Sequence, residues 1–531
     1  MRRSRDRADG RACRLGGPLR VAAAGDCGET SPMRRAGVFR IAAALWIFLV
    51  LPAGRSSAGE EIAISLDEAV RMALARNLGL AVETFSPAIA ATAVRRAGAI
   101  YNPSISLATE HRGEDFRLVP DDPAVARSRF FDANLSLDRL LTSGATAKVS
   151  FENLFSRGSG AASRFAQPEL SVSFSQPLLA GRGEEVTGRG ITVARDARES
   201  AAAEWRVRAL SVAGEARDAF FSLVKSREEQ ETRRASLAVA RQLHAENEAR
   251  VRAGVLASIE LLDSEFGVAR REKDLLEAEN DVLERTDRLR VLLQHPGAGP
   301  LVPGGPLPPA RIEFSEKVAT ETALRMRPDL EAVRVALRTE EFQARVSRNL
   351  ALPSLAVTGS AGLQGLSAGY GNSLDDLASG ETPFWSIGLS FAYPLGNDAA
   401  MADLAEARLK AARGRASIRS LEASAALEVR SAIRDMETKF RAIEVSGKGV
   451  ALGEARLASF LKRGKIGLAT TKDVLEVEAD LAAARDAQTA ARADYQGAVT
   501  RFYRSTGELL EVHGIRIGGK EIEAMAWKEL R

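Results

Sequence analysis

From about residue 62 onward the chain says nearly the same thing twice, and that repetition limits its possible folds more than any motif does. Ala73, Leu74, Leu80, Ile100 and Ile105 recur 250 positions later as Ala323, Leu324, Leu330, Leu350 and Leu355, with Pro103 falling on Pro353. A second block recurs at an offset of 217: Leu170, Val172, Phe174 and Pro177 fall on Ile387, Leu389, Phe391 and Pro394. A third recurs at 213: Arg250, Arg252, Gly254, Glu260, Leu262 and Glu265 fall on Arg463, Lys465, Gly467, Asp473, Leu475 and Glu478. Each half therefore reads as helix, strands, long helix, tip, long helix. An internal two-fold duplication of this kind makes the two halves copies of one supersecondary unit.

The helical parts are long. No proline interrupts the 118 residues between Pro177 and Pro296, or the 137 residues after Pro394. Leu261, Val268, Leu275, Val282 and Leu289 recur every seventh residue, flanked by Leu262, Ala269, Leu276 and Leu283, which is a coiled-coil seam with a widened apolar stripe. The opposing helices are alanine-rich, as in Ala201–Ala203, and small side chains let helices approach closely. A helix from about Glu185 to Arg252 would be ~100 Å long at ~1.5 Å per residue, and its return from Ser258 to Leu293 about half that. Such a pair makes a rod or a wall rather than a globular core.

The strands are a different material. Ser104–Leu107, Glu169–Phe174 and Ser386–Phe391 alternate apolar with small polar residues, so their two faces meet different surroundings. Lipid on one face and water on the other is an economical reading, with Trp385 and Tyr393 as interfacial aromatics; a soluble sandwich gives the same alternation. Pro103 and Pro177 lie 74 residues apart against 41 for Pro353 and Pro394. The extra length holds a further alternating pair at 131–153, an additional hairpin turning at Thr142-Ser143-Gly144.

Charge and leader sequence set the compartment. Residues 1–58 carry 11 Arg, no Lys and 4 acids, and the remainder carries 63 bases against 66 acids, a near balance that offers nucleic acid no footprint. Met33 opens an export signal at 33–58: Arg34, Arg35 and Arg40, then the apolar run Ile41–Leu51, then the small-residue cleavage site Ser56-Ser57-Ala58. Residues 1–32 read as an overextended start. Both cysteines, Cys13 and Cys27, lie in that stretch, so the exported part has neither a disulfide nor a thiol, which suits an oxidising compartment.

At this point the chain resembles the TolC-like outer-membrane efflux family. Ser65-Leu66-Asp67-Glu68-Ala69 with Asn77, Arg327-Pro328-Asp329-Leu330, the strand-to-helix switches at Pro177 and Pro394, and Arg-x-x-x-Gly followed by an acid and Leu at 250–262 and 463–475 carry the resemblance in family order, twice. It implies a mainly α fold in which long antiparallel coiled-coil hairpins form a periplasmic α-barrel. A few strands per protomer join a shared trimeric transmembrane β-barrel, four of them in the family pattern, from which the extra hairpin departs. The domain reading is a first repeat at 59–295, a Pro/Gly-rich linker at 296–315, a second repeat at 316–507 and a C-terminal tail at 508–531 without a clear element.

The resemblance further implies a passive conduit of a tripartite efflux or type I secretion system. It would be a homotrimer in outer-membrane lipid, extending into the periplasm and served by a periplasmic adaptor and an inner-membrane transporter. Its tip residues would be Arg250, Gly254, Arg463 and Gly467 for adaptor docking, with Asp473, Glu476 and Glu260 at the pore gate. Three-fold symmetry would gather three copies of each acid into a cation-favouring ring. Each residue also has a plain structural reading: the glycines as helix C-terminal turns, the arginines as dipole partners, and Asp473 and Glu260 as helix caps.

No catalytic group, cofactor or metal site is expected. Gly365-Leu366-Ser367-Ala368-Gly369 fits a hydrolase nucleophile pattern but is followed by loop residues rather than by a helix. His111, His244, His295 and His513 share no ligand spacing. Gly181-Arg182-Gly183 has only part of a phosphate loop. The competing reading is a periplasmic coiled-coil adaptor without a pore, which would carry one hairpin and lipoyl-like β modules. A helical exported enzyme is the third.

Overall fold

The computed structural model describes residues 62–117, 125–158, 164–295, 299, 301–304 and 311–529. The export signal at 33–58, the preceding stretch with Cys13 and Cys27, and much of the linker at 296–315 lie outside these residues.

The chain opens with a short strand β1 (Ile62–Ile64), then α1 (Leu66–Arg76) and α2 (Leu78–Gly98). Ser65 and Glu68 form a reciprocal capping box on α1, and the Asn77 side chain accepts from the Leu80 N–H to start α2, so local chemistry fixes both helix starts. Four strands follow: β2 (Ser104–Arg117), β3 (Val125–Leu140), β4 (Thr146–Gly158) and β5 (Arg164–Pro177). After Pro177 come a single turn α3 (Glu184–Thr187), the 64-residue α4 (Arg189–Arg252) and the 36-residue α5 (Ser258–Leu293). The long helix therefore starts at Arg189 rather than at Glu185, because the chain breaks at Gly188, where an added Cβ would lie 2.8 Å from the Glu184 carbonyl.

The second half runs β6 (Leu301–Pro303), α6 (Glu316–Met326), α7 (Pro328–Leu350), β7 (Ser354–Gln364), α8 (Tyr370–Ser379), β8 (Pro383–Ala392), the 68-residue α9 (Asp398–Lys465) and the 36-residue α10 (Thr471–Thr506). The short β6 pairs in parallel with β1, tying the start of the first half to the start of the second. The stretch after Gly507, read from sequence as a tail without an element, instead forms α11 (Leu509–Val512) and α12 (Gly519–Glu529). Ile522 and Ala526, one turn apart, are buried there, Arg198 pairs with Glu523, and Arg95 lies over the Trp527 ring. An 11-residue helix shows too few turns for its period to stand out in sequence.

The four long helices pack side by side in the order α5, α4, α10, α9, which leaves α5 and α9 as the edges. Their seams are lined by small residues: Ala202, Ala209, Ala213 and Ala216 on α4, Ala425 and Ala432 on α9, Ala482 and Ala498 on α10 are all buried. The larger core residues gather where the shorter helices wrap this layer. Trp205, Phe220, Phe221, Leu223, Leu289 and Leu293 pack with Leu509 and Ile522, and Val429, Met436, Tyr495 and Phe502 form a second cluster.

The other six strands form one antiparallel sheet in the order β2-β3-β4-β5-β7-β8, and among the described residues no second sheet is stacked on it, so the sandwich reading fails. The register is unbroken across each pair. One row reads Leu107, Leu135, Phe151, Leu170 and Leu363, and the adjacent row on the opposite face reads Ser106, Ser136, Ser150, Ser171 and Gly362. Ile105, Leu107, Trp385, Ile387, Leu389 and Phe391 stand 66–77% exposed on the apolar face. On the other, hydroxyl pairs span neighbouring strands: Ser106 with Ser136 at 2.8 Å, Ser150 with Ser171 at 2.9 Å, and Ser360 with Ser386 at 2.8 Å.

Candidate functional site: the helical tip and the two-faced sheet

At the far end of the hairpins both turns are built alike. Gly254 (φ +74°) and Gly467 (φ +77°) take the left-handed conformation that terminates a helix, and nothing lies within 4 Å of the position a Cβ would occupy on either. The closing bonds match: Val255 N–H donates to the Arg250 carbonyl (3.0 Å), and Leu468 N–H donates to the Arg463 carbonyl (2.9 Å). Glycine is thus required by backbone conformation and leaves bare backbone on the surface. Val255, Ile466 and Leu468 stand more than 70% exposed around these turns.

The side chains of the first tip hold the second. Arg250 donates to the carbonyls of Gly464 and Lys465 at 3.1 Å each, binding the last carbonyls of α9. Arg463 does something else, stacking its guanidinium over the Phe460 ring at 5.7 Å. Glu260 accepts from the Thr471 N–H at 2.8 Å, so it caps the start of α10 in the other hairpin, not its own helix. Asn247 donates to the Thr471 hydroxyl at 2.8 Å.

Asp473 sits in a capping box. It accepts from Thr470 N–H (2.8 Å), while its own N–H donates to the Thr470 hydroxyl (3.2 Å). The Thr470 backbone bond, with the Thr470 hydroxyl second, holds the Asp473 carboxyl below the usual carboxylate range. Glu476 lies exposed on the next turn, 3.9 Å from Lys472. Asp473 and Glu476 therefore lie within one turn, and Glu260 lies near them through Thr471.

Deeper in the wall, a contact invisible to sequence inspection clamps the hairpins together. Arg271 on α5 and Glu478 on α10 are both buried and ion-paired; the Arg271 Nε donates at 2.8 Å to Glu478 and also to Ser236, and Nη2 donates to the Leu475 carbonyl. Gly267 allows this approach, since a Cβ there would fall 2.5 Å from Leu475 Cδ1. A groove of about 830 Å³ opens beside the clamp, with Asp263, Arg270, Lys472 and Glu476 in its lining. The repeat sets Glu478 opposite Glu265, both glutamates in sequence, and only the structure separates them: Glu478 is buried and Glu265 exposed.

At the sheet end, Pro177 closes β5, and Pro394 stands two residues past β8, before Gly396 (φ +92°) and Asn397 lead into α9. Trp385 lies on the apolar face of β8, and Tyr393 follows immediately after the strand's last residue, 46% exposed. On the same face, Phe131, Phe155 and Tyr370 stack with centroids 5.9 and 5.0 Å apart. Among the scattered histidines, His513 is buried between Asp67 and Arg217, and His244 bonds the buried Ser264 hydroxyl at 2.9 Å. Gly365–Gly369 leads out of β7 directly into α8 at Tyr370, so the loop expected from sequence after this hydrolase-like pattern is a helix instead; Ser367 itself exchanges backbone bonds with Ala166 of β5.

The chain thus joins a six-stranded sheet, apolar on one face and hydroxyl-lined on the other, to two long helical hairpins. Residues 319–508 match the outer membrane efflux protein family. The fold as a whole is that of solved outer-membrane channels. It resembles OprN (17% identity, 83% of this chain and 89% of that one, TM-score 0.61). CmeC of Campylobacter jejuni is similar (17%, 87% and 89%, TM-score 0.59), as is VceC of Vibrio cholerae (17%, 83% and 96%, TM-score 0.59). No curated protein sequence matches the chain.

Proposed function

We propose that this protein is the outer-membrane duct of a tripartite export system: a homotrimer whose sheets close a β-barrel in outer-membrane lipid and whose hairpins form a hollow wall across the periplasm. The observation that carries the reading is the two-faced sheet. No helix among the described residues is long and apolar enough to cross a membrane. The sheet offers a lipid-suited face and a wettable one, and lipid does not tolerate its open edges β2 and β8, so neighbouring copies supply closure. The duct does no chemistry and takes no cofactor. An inner-membrane transporter supplies the energy, and a periplasmic adaptor docks on the exposed turns at Gly254 and Gly467, beside Arg250 and Arg463.

The gate is the tip. Three copies of Asp473 and Glu476 converge on the three-fold axis, with Glu260 behind them, and favour cations. Opening swings the α9–α10 hairpin away and breaks the Arg250, Glu260 and Asn247 bonds across the hairpins. The variant Asp473→Asn with Glu476→Gln removes the charges while keeping a capping oxygen at 473. In planar bilayers we expect small, cation-preferring channels from the native trimer and a weakened preference from the variant. Identical selectivity and gating in both would overturn the gate. A purified protein that leaves the outer membrane in high salt and conducts nothing would return the adaptor reading.

A further inference from the structure

The hairpin β3–β4 changes the width of the membrane wall. The internal repeat pairs β2 with β7 (Ile105 with Leu355) and β5 with β8 (Leu170 with Ile387). In the second half the two equivalents are hydrogen-bonded neighbours, Ser354 opposite Ala392. In the first half they are not: β3 and β4 stand between them, bonded to β2 from Ser104–Asp138 outward, and to β5 from Thr146–Ser175 outward. We infer that each protomer contributes six strands, so that three copies close an 18-stranded barrel about half again as wide as the four-strand family pattern gives, through pairing of β8 with β2 of a second copy. The inference rests on the duct reading.

Three independent features make β3–β4 part of the wall rather than a flap beside it. Its alternation is in phase with its neighbours: Leu135, Leu137, Val149 and Phe151 continue the apolar face, and Ser136 and Ser150 join the hydroxyl face by direct bonds to Ser106 and Ser171. Its turn is built into the strand-to-helix switch. The Thr187 hydroxyl donates to the Thr142 carbonyl, Gly183 N–H donates to the Ser143 carbonyl, and the Ser143 hydroxyl donates to Gln176. Gly144 (φ +91°) packs so closely that a Cβ would sit 2.7 Å from the Gly181 carbonyl.

The third feature is girth. Twelve helices, four per protomer, at ~8–10 Å spacing give a perimeter of ~96–120 Å. Eighteen strands at ~4.8 Å, tilted by ~35–45°, give ~105–122 Å, whereas twelve give only ~70–81 Å. The six-strand protomer therefore matches its own helical wall at ordinary strand tilt. The edges are also oriented for closure. β2 leaves the helices and β8 returns to them, so β8 meets β2 of the next copy antiparallel, as a barrel requires.

Cryo-electron microscopy of the purified trimer in lipid nanodiscs tests this directly. We expect a three-fold wall of 18 strands. A 12-stranded barrel with β3–β4 lying outside would overturn the inference and leave the duct reading standing, and particles without a barrel would overturn both. Paired cysteines give a second readout, with no background because no cysteine follows Cys27. Ser106→Cys with Ser136→Cys should cross-link within one protomer in membranes, and Ser106→Cys with Ser171→Cys should not; the reverse pattern refutes the six-strand wall.

Discussion

Arg271 and Glu478 illustrate what one buried charge weighs in a wall of thin helices. Both are more than nine-tenths buried, and Arg271 also satisfies Ser236 and two backbone carbonyls on separate helices. Such a pair adds little net stability over a well-packed apolar replacement, but removing one partner strands the other, at about 3–5 kcal/mol. Glu478→Ala should therefore lower the melting temperature of the trimer markedly, and Arg271→Met with Glu478→Leu should recover most of the loss. Calorimetry in detergent decides, and equal destabilisation by the single and double variants would contradict the account. His513 behaves differently. Arg217 donates to its Nε2 (3.0 Å), and its Nδ1–H donates to Asp67 (2.6 Å), which fixes the neutral tautomer. Burial first, and then the Arg217 and Arg71 charges, push the imidazole below its ordinary value, against the opposing pull of Asp67. Below about pH 6.5 the unfolded chain binds a proton that the folded chain refuses, so stability falls as pH drops; above it both forms are neutral. The melting temperature should decline below that pH, and His513→Gln should flatten the decline. A slope that persists in the variant would place the titrating group elsewhere.

At the scale of elements, what could be read from sequence was what repeats. The 36-residue return helices α5 and α10 announce themselves by freedom from proline, heptad spacing and a glycine at each tip, because these features act within one helix. The strands announce themselves by alternation, although they run longer than their alternating cores: Ser104–Leu107 is only the start of β2, whose continuation through His111 and Glu114 is polar on both faces. What stayed hidden depends on partners far along the chain. Glu260 reads equally well as a cap for its own helix, and only folding shows that it caps the helix opening at Thr471. Arg250 and Arg463 are equivalent in the repeat yet bond differently, because only the first faces the other hairpin's carbonyls. The hairpin at 131–153 was legible as a hairpin, and its place between β2 and β5 was not, since register belongs to the sheet and not to the strand.

At the scale of the molecule, the single protomer is visibly unfinished. Both edges of the helical layer carry apolar stripes with no covering partner within the protomer. On α5 these are Leu262, Leu276 and Leu283, each at least 60% exposed and set on a seven-residue period. On α9, Leu409, Leu427 and Val445 are each 18 residues or five turns apart, with Leu452 a heptad further on. Stripes of this length mark an interface, and in the proposed trimer their place on opposite edges of one layer makes the contact head-to-tail: α5 of one copy against α9 of the next, closing into a ring. Each ring contact uses one stripe of each kind, so damaging either edge breaks all three contacts at once. Burying one such leucine is worth about 1.5–3 kcal/mol, and a lysine in its place must also be desolvated. Leu276→Lys with Leu283→Lys on α5, and separately Leu427→Lys with Leu452→Lys on α9, should each convert the trimer to monomers that keep their helix content. The exposed polar control Arg270→Glu with Arg288→Glu, on a different face of α5, should leave the trimer intact. Mass measurement by light scattering in detergent, read beside circular dichroism, separates the outcomes. Trimers that survive both apolar substitutions would mean that the helical edges do not meet, and that the strands alone hold the three copies together.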